Sequence, residues 1–329
     1  MTRTYSIRTV LMLLMVGEIV VAIGITGWLW YDNGKASVRQ LTIDRCIEIS
    51  SRVENQIAAL LRTARHSAAA QVDFIKADLI DTSSPEDQKR LLAYQMSFLR
   101  RNEYLTSIGV GFPDGQFFGV QREPDKSLQE LYSSAGDDFL HEKNLNEDWT
   151  IASPFVLNTR PWFKDAIDKQ RPGWTKMYSF VGTPIQLGVS AYDIISSQDT
   201  NISGVTLCDI TLGPIDNFLR ELSLTKNGRS AVFEKDGQLI AISQGNSLSR
   251  DETETPTRVL ASNCDDQLIR ETVATLEIDL GEISTWPNKG SREIDTKSGT
   301  VLSIWKTIRS ESDIAKSYIL YRHERRKVR

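Results

Sequence analysis

The feature that most constrains this chain is an apolar run near its N-terminus. Residues 10–31 contain one charged side chain, that of Glu18, and end in the sequence Trp28-Leu29-Trp30-Tyr31. A helix needs about 20 apolar residues to cross the hydrocarbon core of a bilayer. Tryptophan and tyrosine favour the level of the lipid headgroups at the end of such a helix. The run therefore predicts a transmembrane helix over residues 10–31.

A cleavable signal peptide is the alternative explanation of this run. The run is longer than the apolar region of such a peptide, and bulky residues stand where the cleavage site needs small ones, so we interpret it as an uncleaved anchor. Arg3 and Arg8 precede it without an acidic residue, which places residues 1–9 in the cytoplasm and the chain from Asp32 onward on the outer side of the membrane. Glu18 is expected to snorkel, to be protonated or to pack against the helix of a partner, which would imply a dimer.

A second long pattern follows the anchor. Residues 36–75 contain no proline, and apolar or small residues recur at steps of three and four from Val38 to Ile75, which indicates one stripe of a helix. We predict a helix over residues 32–78, with a patterned length of roughly 60 Å. An amphipathic helix on its own domain would give the same pattern. A helix of this length that leaves a membrane favours a stalk, which packs on its own domain and on a second copy in a homodimer.

Composition and charge exclude several classes of protein. A chain of 329 residues has room for about two domains. Its 40% hydrophobic and 25% charged residues are typical of a globular protein and exclude a disordered or polytopic one. The net charge of −4 is unevenly spread, with +1 in the first 30 residues, +4 in the last eight and about −9 between them. This acidic body argues against nucleic acid as a partner.

Beyond the stalk, the spacing of apolar residues predicts an α+β fold built from two modules. Each module is expected to combine helix with antiparallel hairpins, whose turns include residues 112–115 and 235–237. Residues 121–148 are polar without a clear period and predict no element. The other predictions are a loop at 81–87, helices at 88–101 and 214–223, and strands at 105–111, 116–120, 177–181, 185–192, 203–211, 230–234, 238–243, 291–294 and 300–307.

The sequence contains no catalytic, metal or cofactor motif. It lacks the HExxH, GxSxG, Walker and GxGxxG patterns, and its cysteines and histidines lack the spacing of metal ligands. We therefore predict no enzyme, no cofactor and no metal. Cys208 is expected to be buried, and Cys46 to be a core thiol or a crosslink between two stalks. Three pairs of neighbouring acids are interpreted as solvated loops: Asp137-Asp138, Asp251-Glu252 and Asp265-Asp266.

Several segments together resemble a known family. Residues 160–166 (Arg-Pro-Trp-Phe-Lys-Asp-Ala), then Gly173-Trp174 with Tyr178, and then residues 204–212 (Gly-Val-Thr-Leu-Cys-Asp-Ile-Thr-Leu) follow a membrane helix and a long stalk in this order. Over roughly residues 32–307 the chain resembles the double Cache (dCache) sensors. These are the extracytoplasmic ligand-binding regions of bacterial chemoreceptors, sensor kinases and cyclic-nucleotide enzymes. Residues 228–241 are similar to the opening hairpin of the family's membrane-proximal module.

The resemblance implies a PAS-like, ligand-binding module distal to the membrane at residues 79–223 and a second, proximal PAS-like module at residues 224–310. Residues 311–329 would form a basic tail, which is either solvated or in contact with anionic lipid or an acidic partner. Complete receptors of this family continue into a second membrane helix and an output domain. The sequence ends soon after Thr307, which we interpret as a stand-alone sensor with a separate output protein, a truncated gene or a fragment.

The resemblance also implies a ligand site. In the dCache subset that binds amino acids, an Arg is followed two residues later by Trp, and then by a Tyr and by an Asp on the following strand. The matching positions here are Arg160, Trp162, Tyr178 and Asp209. At two further positions that subset usually has Tyr, where this chain has Phe155 and Phe163. The two missing hydroxyls imply fewer polar contacts to a ligand.

The residue types themselves suit a free amino acid. Arg160 can hold a carboxylate through two parallel hydrogen bonds, and Asp209 can accept hydrogen bonds from an ammonium. Tyr178 and Trp162 add polar hydrogens and aromatic faces that attract a cation. The alternatives are a structural ion pair between Arg160 and Asp209 and core positions for the two aromatic residues.

Tyr192 and Asp193 are further candidates, which we expect at the surface of a hairpin, whereas Trp174 is expected in packing. Together the patterns predict a membrane-anchored sensor of a signal-transduction system that binds a small polar ligand, an amino acid or a related amine or carboxylate. The alternative is an envelope scaffold, in which the two modules dimerise and sense nothing.

Overall fold

A single helix accounts for the first quarter of the chain. In the computed structural model, helix α1 runs without a break over Ile7–Lys76, through both the predicted anchor and the predicted stalk. It is the one helix in the described part of the chain that is long and apolar enough to cross a membrane. The structure describes residues 7–144, 148–180, 187–196, 201–222, 228–250, 256–297, 299–308 and 315–322.

The chain divides into two compact units, Met1–Ile49 and Ser50–Arg329. In the first unit, the described apolar side chains of residues 11–31 are exposed, as a surface that faces lipid requires. The second unit holds the rest of α1 and the two sheets described below. Helix α2, Pro85–Arg101, starts three residues before the predicted helix because Pro85 suits a first turn and Glu86 and Asp87 favour its positive end.

The first sheet contains nine antiparallel strands in the order β5-β4-β3-β2-β1-β9-β8-β6, with β7 beside β8. The predicted hairpin is confirmed: β1 pairs with β2, and Gly115 in their turn has a φ of +95°. The strands are β1 Ser107–Gly111, β2 Phe117–Arg122, β3 Leu128–Ser133, β4 Phe139–Lys143, β5 Thr150–Pro154, β6 Gly173–Trp174, β7 Tyr178–Ser179, β8 Leu187–Ser196 and β9 Ile202–Thr211. Residues 181–186, which include the end of one predicted strand and the start of the next, lie outside the described residues.

The expectation that residues 121–148 form no element is wrong. Strands β3 and β4 lie within this stretch. They lie toward one edge of the sheet, where few side chains are buried, among them Leu131 and Leu140. Strands this near an edge carry polar residues on much of their surface, so the apolar signal that marks a strand is weak. Residues 145–147 lie outside the described part of the chain.

Helices cover both faces of the first sheet. On one face, side chains of α1 and α2 such as Ala64 and Met96 pack against Ile108, Val189 and Cys208. On the other face, helix α3, Pro161–Lys169, packs its aromatic side chains on β2, β8 and β9. Helix α4, Gly213–Glu221, follows β9 and leads toward the second sheet. The predicted short helix at residues 214–223 is thus confirmed for residues up to 221.

The second sheet has five antiparallel strands in the order β11-β10-β16-β15-β14. Helix α5, Gln267–Leu280, covers one face, and the side chains of α1 and α4 pack on the other. The hairpins predicted near residues 230–243 and 291–307 are confirmed. The strands are β10 Gly228–Phe233, β11 Leu239–Ile242, β14 Lys289–Thr296, β15 Gly299–Ile308 and β16 Ala315–Arg322, with β12 Leu248–Arg250 and β13 Pro256–Arg258 as a separate pair.

Two expectations about this half of the chain are wrong. Residues 315–322 of the predicted tail form β16, which pairs with β10 on one side and β15 on the other. Asp266 is not in a solvated loop, because its carboxylate accepts hydrogen bonds from the Ile269 N–H at 2.9 Å, as the N-cap of α5, and from Arg229 at 2.7 Å. Residues 311–314, 323–329 and the pair Asp251-Glu252 lie outside the described residues.

The three cysteines are buried and unpaired. Burial raises the pKa of the Cys46 and Cys264 thiols to about 11 and raises that of Cys208 further. The expectation of a buried Cys208 is confirmed. Because the thiolate is the reactive form, these pKa values make all three thiols unreactive near neutral pH.

Candidate ligand-binding site

Asp209 lies near the end of a central strand, on the face of the first sheet that α3 covers. Its neighbours across the sheet are Ser107 on β1 and Ser190 on β8, and directly opposed residues in antiparallel strands share a face. The Ser107 hydroxyl donates a short hydrogen bond to Oδ2 of Asp209, and the Ser190 hydroxyl donates one to Oδ1. Each carboxylate oxygen therefore keeps further acceptor capacity.

The Asp209 carboxylate is buried, and no described residue supplies it with a cationic partner. Its residue is 7% exposed, and burial raises its pKa to about 6, although the two serine hydroxyls and the charge of Arg160 act in the opposite direction. Among the described residues, no basic nitrogen lies within 4.0 Å of its oxygens. The alternative of a direct ion pair between Arg160 and Asp209 is therefore not seen in this structure.

Tyr178 extends the hydrogen-bond chain by one member. Its hydroxyl lies 2.8 Å from the Ser190 Oγ. Because Ser190 has a single hydroxyl proton and gives it to Asp209, the Ser190 oxygen accepts the proton of Tyr178. Burial, and then the nearby charge of Asp209, raise the pKa of Tyr178 well above its usual range, so the phenol keeps this proton. The result is a relay from Tyr178 through Ser190 to Asp209.

Arg160 reaches the same region from the residue before α3. Its backbone is extended, and Pro161 begins the helix. The guanidinium donates from Nη2 to the Ser179 carbonyl oxygen at 3.2 Å, and its Cζ lies 5.5 Å from the centre of the Tyr178 ring and 6.0 Å from that of Phe155. A guanidinium has five N–H donors, so most of them remain for a ligand.

Aromatic residues form a wall beside this relay. Phe155, Trp162 and Phe163 are buried in one apolar cluster together with Phe117. The Phe117 ring centre lies 5.3 Å from that of Phe155 and 6.1 Å from that of Trp162. Gly111 makes room for this packing, since a Cβ at that position would lie 2.9 Å from the Trp162 ring. The core position proposed as an alternative for Trp162 is thus the one that it occupies here.

Of the six predicted site residues, the structure brings Arg160, Tyr178, Phe155 and Asp209 into one neighbourhood, with Ser190 joining Tyr178 to Asp209. Trp162 and Phe163 lie in the adjoining aromatic cluster, 5.5 Å apart between ring centres. A ligand-binding role for these residues remains a prediction.

The expectation that Tyr192 lies at a hairpin surface is wrong. Its side chain is 2% exposed and packs in the aromatic cluster, because β8 has paired strands on both sides and α3 over its face. Asp193 is half-buried on the opposite face, where burial raises its pKa. Trp174 packs against the cluster between the sheet and α1, as expected.

Sequence reasoning missed Ser107 and Ser190. The signal was a polar residue at the start of a strand and another inside the apolar run of β8. A buried polar group needs a hydrogen-bond partner, so a serine inside an apolar strand predicts a polar contact. Which residue makes that contact depends on the strand register, which the sequence pattern does not give.

A cleft of about 600 Å³ lies at a different place, where α2 ends near the β2–β3 turn. Arg122 lines it, but its guanidinium already donates to the carbonyl oxygens of Leu99, Asn102 and Leu105. The Arg122 guanidinium and the carbonyl oxygens that it contacts lie on the α2 side of the sheet, whereas Asp209 lies on the opposite face. We therefore base the candidate site on the buried carboxylate and not on this open cleft.

Comparison with known proteins identifies the fold. No family model and no curated protein matches the sequence. The structure of methyl-accepting chemotaxis protein X matches at a TM-score of 0.54 and 12% identity, over 87% of this chain and 98% of that one. The ligand-binding domain of Campylobacter jejuni chemoreceptor Tlp3, in complex with L-valine, matches at 0.54 and 12%, over 87% and 94%.

An extracellular domain described as that of a histidine kinase, mmHK1S-Z3, matches at a TM-score of 0.50 and 14% identity, over 86% of this chain and 94% of that one. At such identities the likeness establishes the fold and nothing finer. The predicted α+β class and the resemblance to double Cache sensors are confirmed at that level. The chain has the double Cache fold of the extracellular sensor domains of chemoreceptors and histidine kinases.

Proposed function

We propose that this protein is a membrane-anchored extracytoplasmic sensor, and that its membrane-distal module binds a small ligand with a primary ammonium group, most simply an α-amino acid. The observation that carries the proposal is the Asp209 carboxylate, which is buried, held by two hydroxyls and without a cation within 4.0 Å among the described residues. A buried charge without a counter-ion is costly. A ligand ammonium would supply that counter-ion.

Arg160 would hold the other end of an amino acid. One of its N–H groups is used by the Ser179 carbonyl oxygen, and its remaining donors match a carboxylate in geometry and charge. The faces of Tyr178 and Phe155 hold the guanidinium in place. Phe155 and Phe163 lack hydroxyls, so we expect the ligand carboxylate to depend more strongly on Arg160 than it would in a site with tyrosines there.

The comparisons support the class of ligand. The Tlp3 domain, which shares this fold, is described in complex with L-valine and with isoleucine. The acidic body of this chain and the absence of catalytic motifs in its sequence fit a sensor that is neither an enzyme nor a nucleic-acid-binding protein.

We further propose a single pass through the inner membrane over residues 10–31, with residues 1–9 in the cytoplasm. A homodimer through the stalk fits the exposed apolar side chains of Val38 and Leu41 on α1. The boundaries 79–223 and 224–310 remain our proposal for the two modules, with the second extended to include β16. The signal would pass to an output domain or to a separate output protein.

The test is ligand-induced stabilisation of the full-length protein in lipid nanodiscs. The melting temperature is measured with each of the common L-amino acids, and with the amine and the carboxylic acid related to each. A ligand at about 100 times its Kd adds about 2.7 kcal/mol to the free energy of unfolding. We expect a shift with at least one amino acid and smaller shifts with its related amine and acid.

Three variants locate the site. Arg160→Ala and Asp209→Asn should abolish the shift, because each removes one charged partner of the ligand. Arg90→Ala is the matched control, since Arg90 is exposed and pairs with Asp87 on α2. A shift that survives Arg160→Ala undiminished would place the ligand elsewhere. No shift with any compound would favour the envelope scaffold.

A further inference from the structure

Two buried serines flank Asp209 across the sheet. They are Ser107 and Ser190, which lie on the two strands that border β9. One donates to each oxygen of the same carboxylate. The carboxylate is thus held from both sides by neutral donors.

Within the described part of the chain, few other groups near Asp209 could control its charge. From the segment before α3 comes Arg160, and from β7 comes Tyr178, which reaches the carboxylate through Ser190. On its own strand, Cys208 points to the opposite face. The adjacent positions of β1 and β8 contribute the two serine hydroxyls.

Hydroxyl donors do something that a fixed cation would not. A hydrogen bond to the charged form of a carboxylate stabilises that form, but the donor is neutral and leaves the negative charge uncancelled. A lysine or arginine in ion-pair contact would stabilise the charge and also remove the attraction for a ligand cation. Two hydroxyls therefore keep a buried carboxylate both ionised and available.

We propose that Ser107 and Ser190 are positioning residues, which hold the Asp209 carboxylate ionised and oriented for a ligand ammonium, and so set the pH range in which the site binds. This inference rests on the proposed function for its ligand, but the state of Asp209 can be measured without one. In acid the carboxylate is protonated and loses its attraction for the ammonium. Loss of either serine moves that transition to higher pH.

The first experiment measures the ionisation of Asp209 directly. Full-length protein labelled with 13C at the aspartate carboxyl carbon is titrated by NMR in nanodiscs, and the Asp209 signal is assigned by its loss in Asp209→Asn. The loss of one hydrogen bond to a charged carboxylate shifts the titration midpoint of that carboxylate by about 1 to 2 pH units. We expect Ser107→Ala and Ser190→Ala each to raise the midpoint by that amount.

Ser203→Ala is the matched control. Ser203 lies on the same strand as Asp209, but its hydroxyl donates to the Ile195 carbonyl oxygen at 3.1 Å, so its loss should leave the midpoint unchanged. The inference is overturned if the midpoint in both Ser107→Ala and Ser190→Ala stays within experimental error of the wild-type value. Each serine variant gives an independent answer if the other fails to fold.

The second experiment measures the affinity for L-valine at pH 7 and pH 8.5. We expect Ser190→Ala to bind about 2- to 10-fold more weakly than the wild type at pH 7, and to regain most of its affinity at pH 8.5, where the carboxylate is again ionised. An equal loss at both pH values would indicate a merely structural role and would overturn the inference. If L-valine does not bind the wild type, the proposed function fails for this probe, and the NMR titration alone decides the role of the serines.

Discussion

The Thr206 hydroxyl donates a 2.8 Å hydrogen bond to the carbonyl oxygen of Ala68, and so joins strand β9 to helix α1. Both residues are buried. Asp209 follows three positions later on the same strand and faces the opposite side of the sheet, because successive side chains of a strand alternate. One strand thus carries the candidate site on one face and contacts the long N-terminal helix with the other.

Thr206→Val should weaken this junction. Valine keeps the shape of threonine but removes the donor, and the net loss of one buried hydrogen bond is about 1 kcal/mol. We expect a lower free energy of unfolding by that amount, together with faster amide exchange in α1 around Ala68. Thr257→Val, in the exposed β12–β13 pair, should change neither. Unchanged exchange in α1 of the Thr206 variant would mean that the bond does not hold the helix to the strand.

A second buried contact joins α1, α2 and the same strand. Gln95 donates to the Gln71 side-chain oxygen at 2.8 Å, and Gln71 donates to the Leu207 carbonyl oxygen at 3.4 Å. Gln95→Leu leaves the Gln71 oxygen buried without a donor, at a cost of about 1–3 kcal/mol. The double variant Gln71→Leu/Gln95→Leu should cost less than the sum of the single variants, because no amide is then left unpaired. Urea unfolding of all four proteins in a double-mutant cycle measures the coupling, and strict additivity would contradict it.

The Asp209 carboxylate should make stability depend on pH. Folding raises its pKa from 3.8 to about 6, so the folded state favours the protonated form. The resulting contribution to stability is fully present below about pH 3.8 and is lost as the pH rises through about 6. Asp209→Asn imitates the protonated side chain and should exceed the wild type in free energy of unfolding at pH 8 by up to about 3 kcal/mol. Chemical unfolding of both proteins at pH 4, 6 and 8 without ligand gives the difference in free energy of unfolding. This difference should approach zero at pH 4. An Asp209→Asn variant that is less stable than the wild type at pH 8 contradicts the prediction.

Gly111→Ala should disturb the aromatic wall. The new Cβ would lie 2.9 Å from atoms of both Trp162 and Leu157, so these buried side chains must move, at a typical cost of 1–3 kcal/mol, about that of overpacking a core. Ligand binding should weaken as well, since Trp162 and Phe155 both pack on Phe117 and Phe155 borders the Arg160 guanidinium. Gly213→Ala is the control, because no atom lies within 4 Å of its new Cβ and the residue begins helix α4. Melting temperatures of the two variants test the prediction, and equal values would contradict it.

The sequence by itself determined the parts of this protein that depend on neighbours along the chain. The apolar run at residues 10–31 and the steps of three and four up to Ile75 determined one long helix, observed over Ile7–Lys76. Asp-Gly turns determined two hairpins, with Gly115 and Gly237 at positive φ. These features follow from local sterics and from a periodic apolar face, so a single segment contains the information for each.

The tertiary structure alone decided the partners. Residues 315–322 carry no signal that places them between β10 and β15, because the pairing joins segments far apart in the sequence. The charged and aromatic side chains of the candidate site could be named from the sequence, since their chemistry belongs to the residue itself. Ser107 and Ser190 could not, because their contact with Asp209 depends on the register of β1, β9 and β8. Register is fixed by the packing of whole sheet faces against helices, and no short segment contains that information.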